Sequence, residues 1–192
     1  MNLANKITLA RMALIPLFML CFIPLPSWIQ ESSELIRFLD HHGLVIGVII
    51  FALAAGTDKL DGYVARKYNQ ITNLGKLLDP LADKLLISVA LIMMVQENLI
   101  ASWVATIIIG REIVITALRM IASEQGIALA ADRYGKLKMV LQVTAIIAVL
   151  LNNVPFSLLT DVRVDVILLW LAAGVTLLSG LNYIVVNYRL LK

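Results

Sequence analysis

Long apolar runs alternate with short polar segments along nearly the whole chain. Runs of this length suit helices that cross a bilayer, and six are predicted, at about 9–28, 44–66, 75–96, 101–121, 136–153 and 166–188. Only the last is free of formal charge throughout. The other five are half clean: 12–25, 44–57, 85–95, 101–110 and 139–151 contain no charged residue. Their remaining halves carry Lys6 and Arg11; Asp58, Lys59, Asp61 and Arg66; Lys76, Asp79, Asp83 and Lys84; Arg111, Glu112 and Arg119; Lys136 and Lys138. The pattern predicts an all-α polytopic membrane protein, one domain over 1–192, with an N-terminal interfacial segment ahead of the first span.

Orientation follows from the charges. Six spans alternate in direction, so an N-terminus in the cytoplasm brings every charged half to the cytoplasmic side. Fourteen of the sixteen Lys and Arg residues then lie inside, with Arg37 and Arg163 outside. The C-terminus is cytoplasmic as well. Trp28, Trp103 and Trp170 fall near outer span ends, where amphipathic rings settle. His41 and His42 fall in an expected outer loop, 26–43, as a solvated pair. Charge at mid-bilayer depth costs about 2.5–3.5 kcal/mol per residue on insertion scales. Five helices carrying it at one depth therefore predict a shared polar cavity open to the cytoplasm. Lysines relieve the cost by snorkelling, whereas an aspartate side chain is too short to do so.

Composition adds limits. Hydrophobic residues make up 60% of the 192 and charged ones 15%, well below the soluble norm of about 25%. A net charge of +3, scattered along the chain, gives no footprint for nucleic acid. The single cysteine, Cys21, forms no internal disulfide and reads as a small core or lipid-facing residue. Lys6 and Arg11 ahead of an apolar run mimic a secretory signal, but Pro24, Leu25 and Pro26 follow where small residues would mark cleavage, so the segment reads as a retained first span. Gly43 and Gly47 form one GxxxG, a weak packing signal by itself.

The chemistry concentrates at the second and third spans. Asp58 and Asp61 are three residues apart, Asp79 and Asp83 four, so each pair shares a helix face one turn apart. The two spans are consecutive and antiparallel, which lets the pairs face each other. Four clustered carboxylates repel unless neutralised. Oxygen-only donors favour hard divalent ions such as Mg2+ or Mn2+. Two ions about 3.5–4 Å apart suit in-line phosphoryl displacement. Gly62 and Gly75 let a ligand approach the backbone, or serve tight helix packing. Pro80 either opens a helix capped by Asp79 or bends one already under way.

The full pattern is Asp58-x-x-Asp61-Gly62-x-x-Ala65-Arg66, eight residues, then Gly75-x-x-x-Asp79-x-x-x-Asp83. It resembles the signature of the CDP-alcohol phosphotransferases, with every defining position filled. The resemblance implies that Asp58, Asp61, Asp79 and Asp83 hold two divalent cations against the diphosphate of a CDP-linked lipid. It implies that Asp83 is also the general base on the acceptor hydroxyl. Arg66 would hold the diphosphate, with Gly62, Thr72 and Gly75 against the CDP-lipid. Asn5 and Thr8 resemble the family's other nucleotide-contacting stretch, and helix capping or anchoring is an equal reading for them.

Beyond the signature, Gly110-Arg111-Glu112, Leu118-Arg119 and Gly135-Lys136-Leu137-Lys138 look like the bacterial branch of that family that forms phosphatidylglycerophosphate. So do residues 5–11 and 78–86. Met139 stands where a threonine is expected there, and Asp132-Arg133 where small polar residues are commoner. The resemblance implies transfer from CDP-diacylglycerol to glycerol 3-phosphate in a bacterial cell membrane, often by a homodimer. Arg111, Arg119 and Lys136 are the candidates for the acceptor's phosphate. The structural alternative for Arg111 is pairing with Glu112, and Lys138 reads as structural. The signature does not separate sister enzymes acting on inositol phosphate, serine or phosphatidylglycerol. A divalent-cation transporter is the rival from another class, and the clean outer halves leave it no evident exit.

Overall fold

The computed structural model describes residues 3–23, 34–67, 73–124 and 133–187. Among these there are six α-helices and no strand: α1 (Leu3–Leu20), α2 (Glu34–Lys67), α3 (Asn73–Gln96), α4 (Ser102–Glu124), α5 (Arg133–Leu150) and α6 (Val164–Val186). A single 3-10 turn, Phe156–Leu158, lies between the last two. The helices fall in two compact units, Met1–Glu97 and Asn98–Lys192.

Each predicted span coincides with a helix, and three boundaries differ instructively. α1 already begins at Leu3, so the expected interfacial segment is continuous with the first helix, and it ends at Leu20 rather than near 28. Its last turn tightens through Cys21 N donating to Phe18 O (3.1 Å) and Phe22 N to Met19 O (3.0 Å). Pro24 and Pro26 follow, and a residue before proline is pushed out of the α region. α2 starts at Glu34, so the expected outer loop 26–43 is helical from there on. Leu35, Ile36, Phe38 and Leu39 have helical apolar spacing that their charged neighbours hide from a hydropathy window. His42 continues the helix, its Nδ1 3.2 Å from Phe38 O and its ring stacked on Phe38. Pro80 lies inside α3, seven residues after its start, so it interrupts a helix already under way.

By length and composition alone, Val164–Val186 is the one described helix suited to crossing a membrane, and the apolar stretches His42–Thr57 and Leu137–Leu150 are shorter.

In the first unit α1 is the central strut. Its buried positions are Asn5, Thr8, Arg11, Ile15, Phe18 and, just beyond the helix, Phe22, at helical spacing along one seam. The seam changes from polar to aromatic after Arg11. At the aromatic end Phe18 packs on Phe22 (centroids 4.8 Å) and on Phe51 of α2 (6.0 Å). Gly43 and Gly47 let α2 come this close. A Cβ at Gly43 would overlap the carbonyl oxygen of Cys21, and one at Gly47 would lie 2.8 Å from the Phe22 ring. Gln96 Nε2 donates to Phe22 O (2.7 Å), tying the end of α3 to the same place. These contacts make α1 antiparallel to α2 and parallel to α3.

The second unit repeats the alternation. Trp103–Trp170 (5.0 Å), Arg111–Ser179 and Arg119–Tyr183 run in the same order along α4 and α6, so these two helices are parallel. Gln142 Nε2 donates to Thr176 Oγ1 (3.0 Å), and the α5–α6 turn closes through Asn153, so α5 and α6 are antiparallel. Asn153 is buried at φ 68, accepts from Asp165 N (3.1 Å) and donates to Val162 O (3.0 Å). Asparagine tolerates this left-handed backbone better than most residues.

Candidate active site

Side-chain hydrogen bonds link all three helices of the first unit at the end where α1 starts. Thr8 Oγ1 donates to Asp79 Oδ1 at 2.7 Å, joining the start of α1 to α3. One turn on, Arg11 Nε donates to Thr57 Oγ1 of α2 at 3.3 Å, and Thr57 Oγ1 donates to Ala54 O at 2.7 Å. Thr8 and Arg11 are both 1% exposed. Asn5, one turn before Thr8, is buried too.

Helix register relates this end to the aspartates. α2 and α3 are antiparallel and joined by residues 68–72. Asp61 and Asp58 lie six and nine residues before the end of α2, and Asp79 and Asp83 six and ten after the start of α3. At about 1.5 Å per residue, the Asp61 and Asp79 turns are level, and so are those of Asp58 and Asp83. Thr57 contacting Arg11 while Asp79 contacts Thr8 gives an offset of about 4.5 Å between the two turns, close to the roughly 6 Å of the residue count.

Asp79 and Asp83 are half-buried side chains on α3. Asp58, Asp61, Gly62 and Arg66 lie on α2, Gly75 on α3 and Lys136 on α5, while their side chains and surroundings lie outside the described residues. Thr72 lies outside them altogether. Among the described residues no three His, Cys, Asp or Glu side chains cluster to hold a metal. The donor chemistry suits hard divalent ions, since the quartet is all carboxylate and two helix ends bring its turns to two adjacent levels.

In the second unit two of the candidate acceptor cations, Arg111 and Arg119, have described partners. Arg111 donates through Nη2 to Ser179 Oγ (2.6 Å) and through Nη1 to Glu112 Oε1 (3.3 Å). Lys138 Nζ pairs with the same Glu112 oxygen, as the structural reading of Lys138 expects. Arg119 donates to Tyr183 OH (3.3 Å), with its guanidinium carbon 5.4 Å from the ring centre. The Arg111 stem crosses Gly180, where a Cβ would lie 2.8 Å from Arg111 Cγ. The pairing of Arg111 with Glu112 is thus present, alongside an anchor on α6 that sequence reasoning did not name.

Sequence reasoning also passed over Arg11 and Thr57. The signal was available for Arg11, three residues after Thr8 and six after Asn5, on one helical stripe. Ser179 and Tyr183 carried none, because small and aromatic residues are common in apolar helices.

Residues 1–178 match the CDP-alcohol phosphatidyltransferase family. The chain belongs to that family, which makes it an enzyme rather than a transporter. It is 44% identical over 193 residues, covering 100% of this chain and 97% of the relative, to a CDP-diacylglycerol–glycerol-3-phosphate 3-phosphatidyltransferase of Bacillus subtilis. Relatives of the same name from Pseudomonas fluorescens (38% identical, 96% of this chain, 89% of the relative) and Rickettsia bellii (34%, 95% and 93%) are similar over comparable lengths.

Proposed function

We propose that the chain transfers the phosphatidyl group of CDP-diacylglycerol to glycerol 3-phosphate, giving phosphatidylglycerophosphate and CMP. The observation that carries this is full-length similarity to several enzymes bearing that name, in a chain whose aspartate signature is complete. The family match, running from 1 to 178, supports one catalytic domain over 1–192. Half-clean helices that alternate within each unit support six spans in a bacterial cell membrane. Both termini are then cytoplasmic, and a polar cavity opens to the cytoplasm.

Asp58, Asp61, Asp79 and Asp83 are the proposed ligands of two divalent cations, Mg2+ or Mn2+, which when bound would draw charge from the diphosphate and make phosphorus electrophilic. Arg66 steadies the diphosphate, and Gly62, Gly75, Thr72 and Asn5 lie against the CDP group. Thr8 serves that stretch with its hydroxyl proton committed to Asp79, so it orients a carboxylate as well. Asp83 takes the proton of the acceptor hydroxyl. The acceptor oxygen then forms its bond to the lipid-linked phosphorus as the bond to CMP breaks. Arg111, Arg119 and Lys136 bind the acceptor's own phosphate. Ser179, Glu112 and Tyr183 fix the orientation of the two arginines, so they hold a preset fork. A homodimer is proposed on the family resemblance.

The test is turnover by purified protein given labelled CDP-diacylglycerol and a panel of acceptors. CMP release with glycerol 3-phosphate is expected. Turnover only with inositol phosphate, serine or phosphatidylglycerol would move the chain to a sister activity.

A further inference from the structure

We propose that Arg11 is a positioning residue that supplies fixed positive charge to the aspartate site, holding its acidic turns together before a divalent cation binds. The inference rests on the two-cation reading above.

Arg11 is a cation buried to 1% exposure at the charged end of the first unit. A guanidinium removed from water needs opposite charge and hydrogen bonds near it. Its Nε is spent on Thr57, the residue before Asp58. Arg11 stands about 4.5 Å further along α1 than Thr8, and Asp83 about 6 Å further along α3 than Asp79. The helices are parallel and Thr8 meets Asp79, so Arg11 is level with the turn of Asp83 as well as that of Asp58. The aromatic and glycine contacts further along α1 already fasten the helices together. Packing therefore does not require a charge at this position, and an apolar side chain such as Ile15 serves one turn on. Four carboxylates without a counter-charge would drive α2 and α3 apart or take up protons. A resident guanidinium offsets part of that repulsion permanently, and divalent ions offset the rest when they arrive.

The test is thermal unfolding of the full chain in detergent, stripped of divalent ions and then saturated with Mn2+. Wild type, Arg11→Lys and Arg11→Met are compared. Arg11→Met should lower the metal-free midpoint by roughly 10 °C and show a larger Mn2+-induced rise than wild type. Arg11→Lys should keep the wild-type rise. Adding Asp58→Asn to Arg11→Met should restore part of the metal-free midpoint, which a purely structural anchor would not do. This pair also decides the matter if Arg11→Met alone does not fold. An equal or smaller Mn2+ rise in Arg11→Met, or no rescue by Asp58→Asn, overturns the role of Arg11 while leaving the cation reading intact. No Mn2+ rise in wild type removes the cation reading and this inference with it.

Discussion

At the residue scale, the proposed division of labour among the aspartates is testable one side chain at a time. Asp83→Asn removes the proposed base but keeps a side-chain oxygen. Turnover should fall by about 10²–10⁴, the usual contribution of a general base, while Mn2+-induced stabilisation largely survives. Retained turnover would take the role away from Asp83. For the acceptor, Gly180→Ala is a gentler probe than any arginine deletion. The new methyl would press on Arg111 Cγ at 2.8 Å, a flexible stem that can yield without unfolding the helix. The apparent KM for glycerol 3-phosphate should rise several-fold, with that for the CDP-lipid little changed. An equal loss for both substrates would mark Arg111 as structural. These residues also show how far the sequence is legible. Aspartates paired at helical spacing in a greasy chain declare themselves, whereas the lone Asp165, fully buried, does not. Ser179 and Gly180 do not, since their value lies only in what α4 places against them.

At the element scale, α1 does more than begin the chain. One seam carries the Asn5–Thr8–Arg11 stripe and then the Ile15–Phe18–Phe22 stripe, so a single helix sets both the polar and the apolar spacing of the first unit. The glycines of α2 complete the apolar part. Gly43→Val should destabilise by about 1–3 kcal/mol, because the added carbons meet the Cys21 backbone carbonyl, which cannot rotate away. A fall of about 2–4 °C in melting temperature per kcal/mol is the expected reading, and an unchanged midpoint would mean that α1 is not held there. The six helices were legible from hydropathy, and the alternation within each unit from their order along the chain. The ends were not. The start of α2 at Glu34 was hidden by charged residues within an apolar pattern, and the end of α1 at Leu20 comes through a local 3-10 closure ahead of Pro24, whose stop signal the continuous apolar run masks.

At the scale of the whole molecule, each unit is built of alternating helices with an aromatic pair toward one end, and in the second unit the Arg163–Asp165 ion pair lies at that end as well. The proposed topology makes the charged halves of the spans cytoplasmic. In a Cys21→Ser background, exposed Ser157 between α5 and α6 and exposed Glu124 at the end of α4 are suitable reporters. Ser157→Cys should react with a membrane-impermeant maleimide in intact cells, and Glu124→Cys only after permeabilisation. The reverse pattern would invert the orientation and put the aspartates on the outer face.

The ties of α1 to α3 have a consequence for biogenesis. Thr8 reaches Asp79 across 71 positions of sequence, and Phe22 reaches Gln96 across 74. The ribosome therefore delivers α1 long before the α3 residues that it meets. Arg11 meets Thr57 across only 46 positions, whereas the contacts of α1 with the far end of α3 must wait until nearly one hundred residues have been synthesised. The proposed catalytic end of the first unit is therefore completed only after α3 has been made, since Thr8 there meets Asp79.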